Sequence, residues 1–329
     1  MANRGLSNAG LALGLLSGAT FGTSGSFASS LIAVGWTPGA AVTARVVIAA
    51  LVLTAPALLQ LRAQRWHPRA ARGVVLYGLV AVGGAQLCYF NAVAHLSVAV
   101  ALLLEYSGVL LVMAWMWARH GHRPRRLTIT GAALALSGLV LVLDLLGSQH
   151  VDLAGVLWGL GAAIGLAVYF VVSSSTAEPL PPLGFAWGGL LVASVVLGLA
   201  AGTGVLPTHA RAADVTLAHE QVSWIVPVLG MAVVAAVVAF TTGIAAARRL
   251  GAKVASFVGL SEVLFAVAFA WLLLGQRLDI TQGVGALLVV AGIALVRLDE
   301  LRTPGTPEAP DHRQPPAAAD ARTMADTTA

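Results

Sequence analysis

The stretch VAVALLLEYSGVLLVMAWMW, residues 98–117, is apolar enough to cross a membrane, yet it carries a glutamate near its middle. Glu105 follows three consecutive leucines and precedes a second apolar run that begins at Val109. A charged carboxylate at such a depth is costly, and intramembrane acids usually mark substrate or proton pathways. Whether Glu105 belongs to this class depends on the rest of the chain.

The composition is that of a membrane protein. Of the 329 residues, 58% are hydrophobic and only 10% are charged, whereas soluble domains carry roughly a quarter charged residues. Apolar segments of about 20 residues recur, long enough to cross a hydrocarbon core as helices. The net charge of +5 does not indicate nucleic-acid binding, because the basic residues lie in short loops between the spans.

Ten apolar segments predict an all-α polytopic fold with ten transmembrane helices. They lie near residues 8–31, 39–60, 73–94, 97–118, 127–146, 153–173, 184–204, 223–247, 253–274 and 281–298. A cleaved signal peptide is an alternative for the first segment. Its small residues argue for a retained helix, because their i+4 spacing allows close packing. These are Gly10, Gly14, Gly18, Gly22, Ser26 and Ser30. Residues 303–329 are rich in proline and alanine and predict a disordered tail.

The basic residues predict the orientation. With the N-terminus in the cytoplasm, 16 of the 19 lysines and arginines fall in cytoplasmic segments. Only Arg211 and Arg277 fall outside, and Arg45 lies within a span. This bias follows the positive-inside rule. We therefore expect an inner (plasma) membrane protein with both termini in the cytoplasm.

The two halves of the chain repeat each other. A shift of 154 aligns Leu96 with Leu250, Gly131 with Gly285 and Gly138 with Gly292, without a gap. The repeat predicts two five-helix domains, residues 1–147 and 148–302, followed by the tail 303–329. Because five is odd, the second domain must run through the membrane in the opposite direction. Inverted repeats are typical of secondary transporters, with the substrate site at mid-depth between the repeats.

A second carboxyl lies close to the position of Glu105 in the repeat. Glu105 aligns with Gly259, and Glu262 follows three residues later. Three residues are nearly one helical turn, so both carboxyls occupy the same face of equivalent helices. The inversion should then bring both towards the centre. Desolvation disfavours the charged form of a carboxyl, which suits reversible protonation.

Two stretches resemble the EamA family of the drug/metabolite transporter superfamily. They are YFNAVAHLSVAVALLLEYSGVLLVM (89–113) and AARRLGAKVASFVGLSEVLFAVAFAWLLLGQRLDITQGVGALLVVAGIAL (246–295). The first is also similar to amino-acid exporters of the threonine/homoserine type. The resemblance implies ten spans in two repeats and export of small metabolites. Three departures from the family pattern stand out: Val109 and Val263 replace its usual prolines, which puts a helix kink at the site in doubt, and Gln276 replaces its usual glutamate.

Several further polar residues within spans are candidate site residues. Arg45 could bind a carboxylate, either Glu105 or that of a substrate, or its side chain could simply reach the interface. The others are Ser24, Gln86, Asn91, Tyr106 and Tyr169. For Gln86 and Asn91, hydrogen bonding between helices is the plainer interpretation. For Glu105 and Glu262, a protonated structural acid is the alternative.

The sequence predicts a secondary transporter, not an enzyme. It shows no nucleotide-binding motif, so we expect a proton gradient to drive transport without a cofactor or metal.

 The predicted coupling ion is the proton. The other expected partners are a small-molecule substrate, bilayer lipids and, as an alternative to a monomer, a second copy in a homodimer. We expect no nucleic acid.

Two other classes of function are weighed against transport. The sequence FGTSG (21–25) contains the G-x-S-G pattern of rhomboid-type intramembrane serine proteases, but His95 is the only histidine inside a span that could serve as its partner. Short Gly/Ser patterns are common in glycine-rich helices, so this interpretation is remote. A non-transporting membrane sensor or scaffold is the main alternative, although such a protein would not need paired carboxyls at mid-depth.

Overall fold

The structure is a computed structural model. It describes residues 2–62, 68–96, 98–121, 123–143, 145, 152–175, 180–275 and 279–302. Within these ranges the chain is helical, apart from one short β-hairpin and the connecting turns. The predicted disordered tail and Gln276 lie outside the described residues.

The described part of the chain contains thirteen α-helices and two π-helical segments. The first half contains α1 (Ala2–Ala33), α2 (Pro38–Leu61), α3 (Pro68–Leu76), a π-helical segment (Tyr77–Gly84), α4 (Ala85–His95), α5 (Val98–Tyr106), α6 (Gly108–His120) and α7 (Arg126–Val142). The second half contains α8 (Leu153–Ser173), α9 (Pro182–Gly202), β1 (Val215–Leu217), β2 (Glu220–Val222), α10 (Ile225–Leu229), a second π-helical segment (Gly230–Val238), α11 (Ala239–Gly259), α12 (Ser261–Leu274) and α13 (Ile280–Leu301).

Among the described residues, six helical segments are long and apolar enough to cross a membrane. They are Pro38–Leu61, Ala71–Val93, Val100–Arg119, Leu153–Ser173, Pro182–Gly202 and Ile225–Gly259. Arg126–Val142 and Ser261–Leu274 are shorter apolar helices. The predicted multi-pass, all-helical membrane fold is therefore confirmed, whereas the count of ten spans stays a prediction.

Both π-helical segments occupy equivalent places in the aligned halves. The first spans Tyr77–Gly84 and the second Gly230–Val238, which coincide closely when the chain is shifted by 154 residues. A π-helical turn inside an α-helix is uncommon and is frequently found at functional sites. Its recurrence at the aligned position supports the internal repeat.

The helices pack reciprocally between the halves. In the first half α1 packs against α11 and α12, and in the second half the aligned helix α8 packs against α4, α5 and α6. Helix α2 packs against α9, and α7 against α13. Each of these contacts joins one half of the chain to the other, so the protein folds as one unit around the boundary between the halves.

The i+4 glycines of α1 allow the close helix approach that the sequence predicts. A Cβ atom at Gly14 would lie 2.8 Å from Val258, and one at Gly22 would lie 2.8 Å from the backbone nitrogen of Ala266. Only glycine fits at such distances. The prediction that this stripe packs against another helix is confirmed for its four glycines.

A β-hairpin outside the helices links distant parts of the chain. Strands β1 and β2 pair antiparallel between α9 and α10. The segment before the hairpin is bound to the turn after α1, where Thr37 exchanges hydrogen bonds with His209. The tip of the hairpin is bound to the end of α12, because the Ala218 N–H donates to the Leu273 carbonyl at 2.8 Å. The ten predicted spans did not include this hairpin.

Candidate functional site

A cavity of about 590 Å³ lies between the two halves. Its polar lining consists of Ser17, Ser24, Ser26, Ser29, Arg45, Gln86, Tyr89, Glu105, Tyr106, Tyr169, Glu262 and Gln282. The lining reaches Ile32 at the end of α1, Pro38 at the start of α2 and Leu274 at the end of α12. We call this end of the bundle the mouth. The cavity therefore leads from the mouth into the centre of the helix bundle.

Both predicted carboxyls line the cavity, and each lies beside a break in a helix. Glu105 is the penultimate residue of α5, which ends at Tyr106 before α6 begins. Glu262 is the second residue of α12, just after the end of α11. Both side chains are partly buried and belong to the same cavity lining. The expectation that the two groups meet in one region agrees with the structure.

The helix breaks form without proline. At the first break the Leu110 N–H donates to the Ser107 carbonyl at 2.8 Å, and at the second the Val263 N–H donates to the Leu260 carbonyl at 3.2 Å. Bonds between residues i and i+3 are those of a 3₁₀ turn, which tightens the helix locally. The helices are therefore interrupted at both places although Val109 and Val263 replace the family's usual prolines.

Arg45 is buried in the wall of the cavity, with only 6% of its surface exposed. Its guanidinium donates to Ser24 Oγ at 3.1 Å and to the Ala235 carbonyl at 2.8 Å. It also lies over the rings of Phe21 and Phe240, at 5.5 Å and 5.9 Å from the ring centres. Because Ala235 belongs to the second π-helical segment, Arg45 joins the first half to the second.

Arg45 forms no ion pair with either carboxyl. Among the described residues, the ion pairs within 4.0 Å are those of His95 with Asp152 and of Lys253 with Asp299 and Glu300. The guanidinium nevertheless lines the same cavity as the Glu105 and Glu262 carboxyls. The cavity thus holds one cationic and two acidic groups that are near one another but not bound together.

Two tyrosines lie close to the carboxyls. The Tyr106 hydroxyl is near enough to interact with the Glu262 carboxyl, although the two residues come from opposite halves. The Tyr169 hydroxyl lies beside Ser17, where α1, α8 and α11 meet. Glycine at position 243 leaves room there, because a Cβ atom would overlap both hydroxyls.

The remaining predicted residues divide between the cavity and the packing of helices. Ser24 and Gln86 line the cavity, but Asn91 is absent from its described lining. The Asn91 side-chain amide donates instead to the Leu87 carbonyl at 2.7 Å. Position 91 lies five residues after Gln86, which places it on a different face of the helix.

Several lining residues were not among the predicted site residues. Tyr89 lies three residues after Gln86 on the same helical face, and Ser17 and Phe21 precede Ser24 at intervals of four and three. These spacings are the signal that could have identified them. Phe240 gave no such signal, because an apolar side chain in a membrane-spanning helix can equally face lipid or a neighbouring helix.

The protease interpretation does not match the geometry. Ser24 accepts a hydrogen bond from Arg45, whereas His95 pairs with Asp152 at 2.7 Å where α4 ends and α8 begins. A serine nucleophile needs a base within hydrogen-bonding distance. Nor do the described residues contain a group of three or more metal-ligating side chains.

Comparison with known proteins identifies two copies of one family model in the chain. The model of the EamA-like transporter family matches residues 8–144 and again residues 153–298. The chain is 23% identical over 239 residues to the uncharacterized inner membrane transporter YicL of Salmonella typhimurium, covering 70% of this chain and 75% of YicL. It is also 23% identical over 233 residues to the uncharacterized transporter YwfM of Bacillus subtilis, covering 68% and 72%.

A solved crystal structure has the same fold. It superposes with a TM-score of 0.73 at 20% sequence identity, covering 90% of this chain and 98% of the other. At this identity the likeness concerns the fold alone. It nevertheless shows that this helical arrangement, with its two halves, exists in another protein.

Proposed function

The chain belongs to the EamA-like transporter family, and from this premise we propose that it is a proton-coupled secondary transporter that exports small metabolites such as amino acids. As a membrane transporter of this family it acts on a small molecule in a lipid bilayer. The substrate class, the coupling ion and the direction of transport are our proposal. The resemblance to threonine/homoserine-type exporters supports amino acids as the first substrates to test.

The observation that carries this proposal is the set of charges in the cavity. Glu105 and Glu262 line it together with Arg45, and no ion pair within 4.0 Å joins them. A substrate with an ammonium and a carboxylate group would complement both signs. A carboxyl in such a site can also take up a proton when the substrate leaves. Movement of the proton would then be coupled to movement of the substrate.

An inverted repeat accounts for the reciprocal packing. We infer that residues 1–147 and 148–302 are two five-helix domains of opposite orientation, with ten spans in all and both termini in the cytoplasm. The aligned π-helical segments, the aligned helix breaks and the exchange of helix partners between the halves support this inference. In that orientation the mouth of the cavity faces the outside of the cell.

Transport in liposomes tests the proposal. Purified protein would be reconstituted with a panel of radiolabelled amino acids, and flux would be measured with and without an imposed pH gradient. We expect flux of at least one amino acid that grows with the gradient. A protein that binds amino acids but moves none would instead be a sensor. Flux that is the same with and without the pH gradient would show that transport is not coupled to protons.

A further inference from the structure

A second, smaller cavity adjoins the central one. It has a volume of about 130 Å³ and lies between the end of α7, the middle of α12 and the start of α13. Apart from Gln282, its wall consists of apolar side chains and one glycine. Gln282 and Val267 line both cavities, so the two spaces share a wall. We call the smaller space the side cavity.

Gln282 is the polar part of the shared wall, and two hydrogen bonds hold its amide in place. The amide oxygen accepts from the Asp279 N–H at 3.1 Å, within the capping box of α13. The amide nitrogen donates to the Val142 carbonyl at 3.3 Å, at the end of α7. The Gln282 side chain therefore reaches from α13 to α7 at the place where the two cavities meet.

The internal repeat shows which residues make room for the side cavity. With the shift of 154, Gly283 aligns with Ile129 and Val267 aligns with Met113. In both pairs the residue of the second half is the smaller one. A Cβ atom at Gly283 would meet no atom of the described chain within 4 Å, so the space there is open. The side cavity thus lies where the second half has smaller side chains than the first.

The position of Gln282 is occupied differently in the first half. Gln282 aligns with Thr128, whose hydroxyl donates to the Asp299 carboxylate. Both contacts join the start of one helix of the α7–α13 pair to the end of the other. Thr128 and Asp299 are buried, whereas Gln282 is only partly buried and borders two cavities. Pairing of these helices therefore does not by itself require a long side chain at this position.

We propose that the side cavity binds the apolar chain of the substrate, while the charged groups of the substrate stay with Arg45, Glu105 and Glu262 in the central cavity. The substrate is then an amino acid with an apolar side chain of several carbon atoms, and Gln282 is the specificity-determining residue between the two cavities. This inference rests on the proposed function for the place of the charged groups. The apolar wall favours such a chain, because each methylene group removed from water raises the affinity about fourfold.

Protection of a cysteine in the side cavity tests this inference. In a Cys88→Ala background, Ala268→Cys places a thiol in the wall of the side cavity. Its labelling by N-ethylmaleimide would be measured in the presence of alanine, norvaline or norleucine. Norleucine should protect the thiol at a concentration at least about tenfold below that of alanine, because its side chain is longer by three methylene groups. Labelling of Gly198→Cys in α9 is the control and should not depend on any of the three.

Filling the side cavity should remove this dependence on chain length. Gly283→Ile introduces the residue type of the aligned position 129 into open space, so the variant should fold normally. Norleucine should then protect the thiol no better than alanine does. Gly198→Ile is the matched control, because a Cβ atom at Gly198 would also meet no atom of the described chain within 4 Å. Size exclusion and thermal melting check the folding of both variants.

The role of Gln282 is tested with Gln282→Ala, which removes the amide between the two cavities. The advantage of norleucine over alanine should grow at least about threefold, because the chain no longer has to displace the bond to Val142. Asp279→Ala is the matched control: it also removes the capping box of α13 but keeps the backbone N–H that binds the Gln282 amide. An equal change in both variants, or none in Gln282→Ala, would contradict the role of Gln282.

Two results would overturn the binding of an apolar chain in the side cavity. One is equal protection by alanine and norleucine, or no protection by either. The other is a preference for norleucine that persists in Gly283→Ile. Because protection measures binding and not movement, graded protection without flux in liposomes would count against the proposed transport function alone. Flux of amino acids without graded protection would count against the side cavity alone.

Discussion

The two helix breaks beside the cavity have similar backbones but differ in where the carboxyl stands. In the first half Glu105 precedes the turn at Ser107, whereas in the second half Glu262 follows the turn at Leu260. Both breaks use a bond between residues i and i+3. The helix break is thus present in both halves, whereas the glutamate lies before the break in the first half and after it in the second.

The close contacts at the breaks show how that variation is accommodated. In the first half Gly108 lies against the backbone of Ala163 in α8, with a Cβ position only 2.5 Å from the Ala163 carbonyl oxygen. In the second half Glu262 stands where Gly108 aligns, and Gly18 of α1 provides the space instead. Two helices can approach this closely only if one of them has glycine at the contact. Where one helix carries a functional side chain there, the glycine has to lie on the other helix.

The largest effect is expected from removing the charge of the acids. Glu105→Gln keeps the shape of the side chain but cannot exchange a proton, so proton-driven flux in liposomes should fall to background. Glu262→Gln should weaken flux less. Both variants should fold and insert at least as well as the wild type, because a desolvation penalty is removed.

A structural role for Glu105 would give a different pattern. The glutamine variant would then transport normally, and Glu105→Leu would lower the melting temperature through a lost hydrogen bond. Normal flux in Glu105→Gln would therefore show that Glu105 is a structural acid and not a proton carrier.

The next largest effect is the loss of stability expected when the contact glycines, Gly108 and Gly18, are replaced. Gly108→Ala should destabilise the protein by about 1–3 kcal/mol or more, because the added methyl meets rigid backbone. Gly18→Ala meets the Ser261 hydroxyl at 2.6 Å, and a second change, Ser261→Gly, should recover part of the loss. Ala163→Gly should not rescue Gly108→Ala. Detergent melting of the four variants measures the difference, and equal rescue in both halves would contradict it.

Arg45 provides a smaller contrast between the halves. At the front of each half a shift of 145 places GLALGLL (10–16) over GVLWGLG (155–161), and it aligns Arg45 with Leu190, which is fully buried. Arg45→Met would leave the Ala235 carbonyl without its side-chain donor and should cost about 1–2 kcal/mol, with flux falling as well. If melting is unchanged while flux is lost, Arg45 serves the substrate alone and not the packing of the π-helical segment.

The smallest effect concerns the starts of α7 and α13, which begin at the aligned positions 126 and 280. Helix α13 has a capping box at Asp279, whereas the residue before α7, Arg125, makes no capping bond with its side chain. The Thr281 hydroxyl and the Ile280 N–H hold the pKa of the Asp279 carboxyl below its usual value.

This depressed pKa sets the sign of the pH effect. The charge of Asp279 stabilises the folded protein above the pKa of the unfolded chain, and that contribution disappears as the pH falls through the folded pKa. Asp279→Asn keeps the geometry of a cap, so it should melt slightly lower than the wild type at neutral pH. The two should converge in acid, and a difference that grows in acid would contradict this.

The membrane class, the repeat and the two acids could be inferred from the sequence because they depend only on the residues within each segment. The length and hydropathy of a segment determine whether it crosses a bilayer, and aligned halves reveal a repeat without any coordinates. Helical spacing likewise placed Glu105 and Glu262 on the same face of equivalent helices. These properties add up residue by residue along the chain.

The tertiary structure decided what depends on contacts between distant residues. At the two breaks, Gly108 approaches Ala163 and Gly18 approaches Glu262, so each break lies against a helix of the other half. The partners of Arg45 come from α1 and from a segment 190 residues further along the chain. Such contacts depend on how whole helices pack against one another, which local sequence patterns do not predict.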